Sequence, residues 1–210
     1  MNNVIISNNM IELLREEIKT TISKARFEHT LGVEHAAVKI GTILEYQDIS
    51  ALRAAALLHD ISKEYSFEKQ LKICDKFGIM LRDDEKSCPQ ILHAITAAAI
   101  ISQDYSKFAS CDVVSAVRWH TTGRKNMTLA EKIICLADYI EDGRKHDSCV
   151  QLRKDFWDNF LSCQSYADKL ACLNKALKAL LENTVLHLES KRQAINTDTL
   201  EALEYIKDHI

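Results

Sequence analysis

Proline occurs once and glycine five times in this 210-residue chain. Folds rich in hairpins draw heavily on those two residues, so their scarcity argues against a β-rich structure and for helices joined by short polar links. No segment alternates apolar and polar residues convincingly with period two. No apolar run approaches the roughly 20 residues that cross a bilayer. The opening MNNVIISNNMIELL lacks a basic segment ahead of its short apolar stretch and has no small-residue cleavage site, so no leader is expected. The seven cysteines form no C-x-x-C pair. They read as reduced thiols of a cytoplasmic protein, with Cys74, Cys135 and Cys172 in helical patterns where buried thiols are common. A net charge of −3 provides no field for non-specific nucleic-acid binding. Neither nucleic acid nor membrane is an expected partner.

What is present is helical periodicity. Met10, Leu13, Leu14, Ile18 and Ile22 form one stripe, and Val33, Ala36, Ala37, Ile40 and Leu44 the next. Further helices are predicted near 50–60, 66–77, 89–103, 111–120, 129–140, 151–162, 166–191 and 198–209. Pro89 suits a first helical position. Thr128 with Glu131, and Asp198 with Glu201, read as capping boxes. The expectation is an all-α helical bundle in one domain over 1–210, with a core at about 22–145 and carboxy-terminal helices over about 150–210 packed on it. Leu170, Leu173, Leu177, Leu180 and Leu181 give the 166–191 helix a broad apolar face, suited to packing on the domain and alternatively to a homodimer contact. Trp119 and Trp157 read as core or pocket wall.

Position separates the histidines. His35, His146, His187 and His209 have polar neighbours or lie near the chain end, and they read as solvated. His29, His59, His93 and His120, with Asp60 and Asp138, instead fall where the periodicity expects core. A single inward imidazole is ordinarily a core group bonded to backbone. Six such groups on five helical segments are hard to satisfy one at a time, because partly satisfied networks are destabilising. A cation at the centre satisfies them together. Imidazole and carboxylate without thiolate suit iron, manganese, zinc or cobalt. Adjacent residues on a helix diverge by about 100°, so His59 and Asp60 suit two neighbouring ions, with Asp60 bridging. A pair about 3.5–4 Å apart clamps a phosphoryl group during in-line displacement.

This H…HD…H…H…D series resembles the HD-domain phosphohydrolase superfamily. The segments RFEHTLGV, AALLHDISK, LHAITAA, AVRWHTTGR and EKIICLADYIEDGR, and the closing DTLEALEYI, resemble its YqeK-type branch, the symmetrical bis(5′-nucleosyl)-tetraphosphatases. The resemblance implies an HD-domain bundle with a metal centre between helices. His29, His59, Asp60 and Asp138 would hold one ion, and Asp60, His93 and His120 the other; the family implies iron. It also implies a hydrolase that cleaves diadenosine tetraphosphate to two ADP by attack of a metal-bridging hydroxide. Two positions depart from the pattern: Ala94 stands where glycine usually follows the third histidine, and Asp142 where proline usually precedes the final GR. Asp142 would add negative charge near Arg144.

A dinucleoside polyphosphate needs cations beyond the metals. Arg26, Lys63, Arg124 and Arg144 each lie within a turn or short loop of a predicted ligand, and Thr121, Thr122 and Gly123 could approach phosphate closely. Asp60, Lys63 and Arg124 are the expected catalytic residues. The rival readings are another HD phosphohydrolase, acting on a nucleoside monophosphate, guanosine polyphosphate or cyclic dinucleotide, and a nucleotide-sensing module without turnover.

Overall fold

A computed structural model describes residues 4–209; Met1–Asn3, part of the segment read for a leader, and Ile210 lie outside it. Among the described residues the chain is helical, with no strand. The helices are α1 (Asn8–Thr21), α2 (Lys24–Ile43), α3 (Ile49–Leu58), α4 (Phe67–Lys76), α5 (Asp83–Lys86), α6 (Leu92–Asp104), α7 (Cys111–Trp119), α8 (Leu129–Ile140), α9 (Asp147–Phe160), α10 (Tyr166–Ser190) and α11 (Thr197–Lys207).

Two short helices explain how the centre is built. α3 (ISALRAAALL) and α6 (LHAITAAAIISQD) are apolar nearly all round, and both are buried along most of their length. A helix without a polar face belongs inside. Their many alanines have little side-chain bulk, so the neighbouring backbones approach closely. α2, α7 and α8 pack around α3, while α6 lies against α7. α10 covers α8 and α9, and α11 lies on α10.

Side-chain caps open several of the helices. Ser23, Asp48, Ser66, Ser110 and Thr128 each accept a backbone N–H at their helix start, and Thr128 with Glu131 forms the expected capping box. Pro89 opens a short 3₁₀ turn, Pro89–Ile91, and α6 begins after it. α9 starts at Asp147, ahead of the expected position. Other readings are corrected. Leu13 is 61% exposed, and the buried face of α1 is Ile11, Leu14 and Ile18. Asp198 does not cap α11: Asn196 does, accepting from the Asp198 N–H, while the Asp198 carboxylate pairs with Arg82. α5 was not anticipated. No disulfide is present among the described residues. Among the described residues, no helix is long and apolar enough to cross a membrane.

Candidate metal centre

Helix ends aim the site. His59 is the residue that ends α3, His120 ends α7, and Asp138 lies in the last turn of α8. Three helix C-termini therefore converge, and their partial negative charge favours a cation. His93 comes from the first turn of α6, and His29 from the second turn of α2.

All four imidazoles are held from behind. His59 Nδ1 donates to the Ala56 carbonyl at 2.7 Å, His120 Nδ1 to Val117 at 2.7 Å, and His93 Nδ1 to Gln90 at 2.8 Å. A carbonyl only accepts, so in these three rings Nδ1 carries a proton, and Nε2 is the atom left to face a metal. His29 Nδ1 lies 3.1 Å from Glu141 Oε1. Imidazoles that bind metals are characteristically braced in this way.

The Nε2 atoms face one region, and Asp60 divides it. Asp60 Oδ2 lies 3.6 Å from His29 Nε2 and 3.4 Å from His59 Nε2. Asp138 Oδ1 is 3.0 Å from His29 Nε2 and 3.9 Å from His59 Nε2. Asp60 Oδ1 faces the other way, 3.3 Å from His93 Nε2 and 3.7 Å from His120 Nε2, and those two nitrogens are 3.1 Å apart. His29 Nε2, His59 Nε2 and Asp60 Oδ1 are buried without a hydrogen-bond partner. Leaving such atoms unsatisfied costs about 1–3 kcal/mol each, and a cation bound among these nitrogen and oxygen donors removes that cost. The residues fit divalent metal ions, and His29, His59 and Asp138, or His59, Asp60 and His120, lie close enough to share one.

The surrounding charges agree with this. Burial opposes ionisation of Asp60, but His59, His120 and Lys63 hold its carboxyl well below the usual range. Burial also opposes ionisation of Asp138, and Arg144 and His29 hold it down. Burial, with Lys63 and His120, pushes His93 well below its ordinary value and so keeps it neutral. His29 is raised to about 9: burial works against protonation, and the neighbouring Asp138 and Glu141 carboxylates prevail. An ion would have to displace that proton.

Among the expected phosphate-binding residues, the structure divides near from far. Arg26 bonds to Asp60 Oδ2 at 2.6 Å, and Lys63 Nζ is 3.1 Å from His93 Nε2. Arg144 pairs with the Asp138 carboxylate. Thr121 Oγ1 lies 3.1 Å from His93 Nε2 and 3.0 Å from His120 Nε2. These four surround the centre. Thr122, Gly123 and Arg124 do not. Gly123, at φ +65°, closes α7 by donating to the Trp119 carbonyl and packs toward Ala202 and Met127. Thr122 is buried, its hydroxyl bonded to the Gly123 carbonyl. Arg124 forks onto the fully buried Glu131 at 3.0–3.1 Å. Glu131 is seven residues before Asp138, about 10 Å along α8, so Arg124 is held near the far end of that helix. Asp142 also differs from expectation: its carboxylate is exposed and faces Arg153 at 3.7 Å, not Arg144. Ala94 is buried. His35, His146, His187 and His209 are exposed, as expected.

Sequence reasoning missed Glu141. It lies three residues after Asp138, a spacing that puts both on one helix face, but it follows the last residue of α8. Its buried carboxylate fits against Gly32 of α2, where a Cβ would collide with Oε2, and accepts the Gly143 N–H. A buried support for His93 was missed as well. Ser62 donates to its carbonyl at 2.9 Å, and Thr96 and Gln70 continue that network.

Residues 26–143 match the family model described as HD domain. The chain is 31% identical over 196 residues to a Staphylococcus aureus protein named bis(5′-nucleosyl)-tetraphosphatase, symmetrical, covering 93% of each chain. A Bacillus subtilis protein of the same name is 30% identical over 184 residues, 87% of this chain and 89% of that one. A crystal structure from Clostridium acetobutylicum, described as a predicted HD superfamily hydrolase involved in NAD metabolism, superposes with a TM-score of 0.81 at 31% identity, covering 95% of this chain and 97% of that one. With the H…HD…H…H…D residues gathered at one buried centre, the chain belongs to the HD domain family and is a hydrolase.

Proposed function

We propose that this protein is a metal-dependent phosphohydrolase that cleaves diadenosine tetraphosphate symmetrically to two ADP. The observation that carries the reading is the division of Asp60: one carboxylate oxygen faces His29 and His59, the other faces His93 and His120. We assign His29, His59, Asp60 and Asp138 to one ion, and Asp60, His93 and His120 to a second. Iron is the metal we expect; manganese, cobalt and zinc suit the same donors. A pair of such ions lowers the pKa of bound water towards neutrality and stabilises charge on phosphoryl oxygens.

The chain's own residues do the rest. Lys63 and Arg26 line the Asp60 side of the centre and Arg144 the Asp138 side, so cations flank the place where a polyphosphate would lie. The Thr121 hydroxyl stands beside His93 and His120, where it can hydrogen-bond a phosphoryl oxygen. No side-chain nucleophile is required, because positioning and charge stabilisation dominate phosphoryl transfer. The names of the relatives support the substrate.

The test is a nucleotide panel run on anaerobically purified protein, with elemental analysis of the same sample. ADP as the sole product from diadenosine tetraphosphate, lost on chelation and restored by metal, supports the reading. ATP with AMP as products, or faster turnover of a nucleoside monophosphate, guanosine polyphosphate or cyclic dinucleotide, would replace it.

A further inference from the structure

Beside the metal centre runs a cleft of about 470 Å³ between the end of α8, the start of α9 and the end of α10. We propose that it holds one purine nucleoside arm of the substrate, an inference that rests on the reading above. Arg144 makes the connection. Its guanidinium binds the Asp138 carboxylate, and its Nε donates to the Asp138 carbonyl at 3.0 Å, and Arg144 lines the cleft together with Tyr139, the neighbour of Asp138. The cleft therefore begins one side chain beyond Asp138, a proposed metal ligand. That separation suits the α-phosphate of an ADP half, with ribose and base beyond it.

The walls match a nucleoside in both shape and chemistry. The volume lies within the roughly 300–1,000 Å³ typical of small-ligand sites. The Tyr139 hydroxyl bonds with Ser148 Oγ at 2.9 Å and also reaches Asn183, which places hydroxyl and amide groups where ring nitrogens and ribose hydroxyls would meet them. The exposed His187 imidazole offers a flat face, and Leu186, 62% exposed, offers an apolar one. Leu186 gains nothing from water, and a base laid on it would cover it. The groove between α9 and α10 and the one beside α6 and α7 contain neither a proposed metal ligand nor any of the four cationic and hydroxyl groups around the centre. Continuity with the site favours the cleft at Arg144.

The test separates nucleoside from phosphate recognition. Manganese-loaded wild type, Leu186→Arg and Asn183→Ala are titrated calorimetrically with ADP and with inorganic pyrophosphate. ADP binding should weaken about tenfold in each variant, a change of about 1.4 kcal/mol, while pyrophosphate affinity and manganese content stay at the wild-type level. Equal ADP affinity in all three proteins, parallel losses for both ligands, or a wild type that binds ADP no better than pyrophosphate would overturn the assignment. The readout is independent of turnover. A wild type that fails to cleave diadenosine tetraphosphate but shows the variant-sensitive ADP binding would defeat the substrate proposal and leave the cleft standing.

Discussion

The two halves of the centre are built differently. The half between α2, α3 and α8 joins His29 and His59 to Asp60 Oδ2 and Asp138, with Glu141 behind His29. It is also the more open half, with the His29 side chain 11% and Asp138 18% exposed. The half between α6 and α7 joins His93 and His120 to Asp60 Oδ1 alone, is nearly closed, and holds the Lys63 ammonium 3.1 Å from His93 Nε2. In the first half three carboxylates outnumber the guanidiniums of Arg26 and Arg144, whereas in the second one carboxylate faces one ammonium, so the first attracts a divalent ion more strongly. The first half should therefore retain its ion in weak chelator while the second releases its own.

Removing the shared group should have the largest effect. Asp60→Ala should abolish the difference between the halves by emptying both and reduce turnover by roughly a thousandfold or more, since both proposed ions lose a ligand. Elemental analysis and rate measurement, with circular dichroism to confirm that the helices persist, check this; wild-type metal content would sink the bridging role. Next, Glu141→Ala should weaken metal uptake about 10–100-fold, the usual cost of losing an outer partner, and only in the open half. A two-phase manganese titration in which the tighter phase moves and the weaker one stays would establish that.

Arg124→Ala is the control outside both halves. Glu131 loses its guanidinium partner, so stability should fall by about 1–2 kcal/mol, discounted because Arg124 is partly exposed, with KM unchanged. A large KM increase in a fully stable variant would restore Arg124 to phosphate binding. The smallest effect should come from Thr121→Val in the closed half. Loss of one hydrogen bond of about 0.5–1.5 kcal/mol should slow turnover by less than about tenfold, with metal content intact and Thr121→Ser close to wild type.

The inward polar residues were legible because a helix repeats every 3.6 residues: an imidazole four residues from a core alanine shares its face wherever the helix is placed. Hence His29, His59, Asp60, His93, His120 and Asp138 could be singled out from the chain alone. Closeness along the chain was a poorer guide. Arg124 is four residues from His120, but the turn closed by Gly123 sends it to Glu131, a residue readable only as a cap. Glu141 was invisible because its role depends on the gap that Gly32 leaves on another helix.

The sequence by itself determined which residues face inward, where most helices begin and that the buried charges needed a cation, since periodicity, capping and desolvation act over a few neighbouring residues. Only the tertiary structure decided that Asp60 turns one oxygen to each pair of histidines, that Glu141 braces His29, and that Arg144 joins the centre to a cleft. Those features depend on how helices cross and which rotamers the packing leaves open, and no local pattern encodes them.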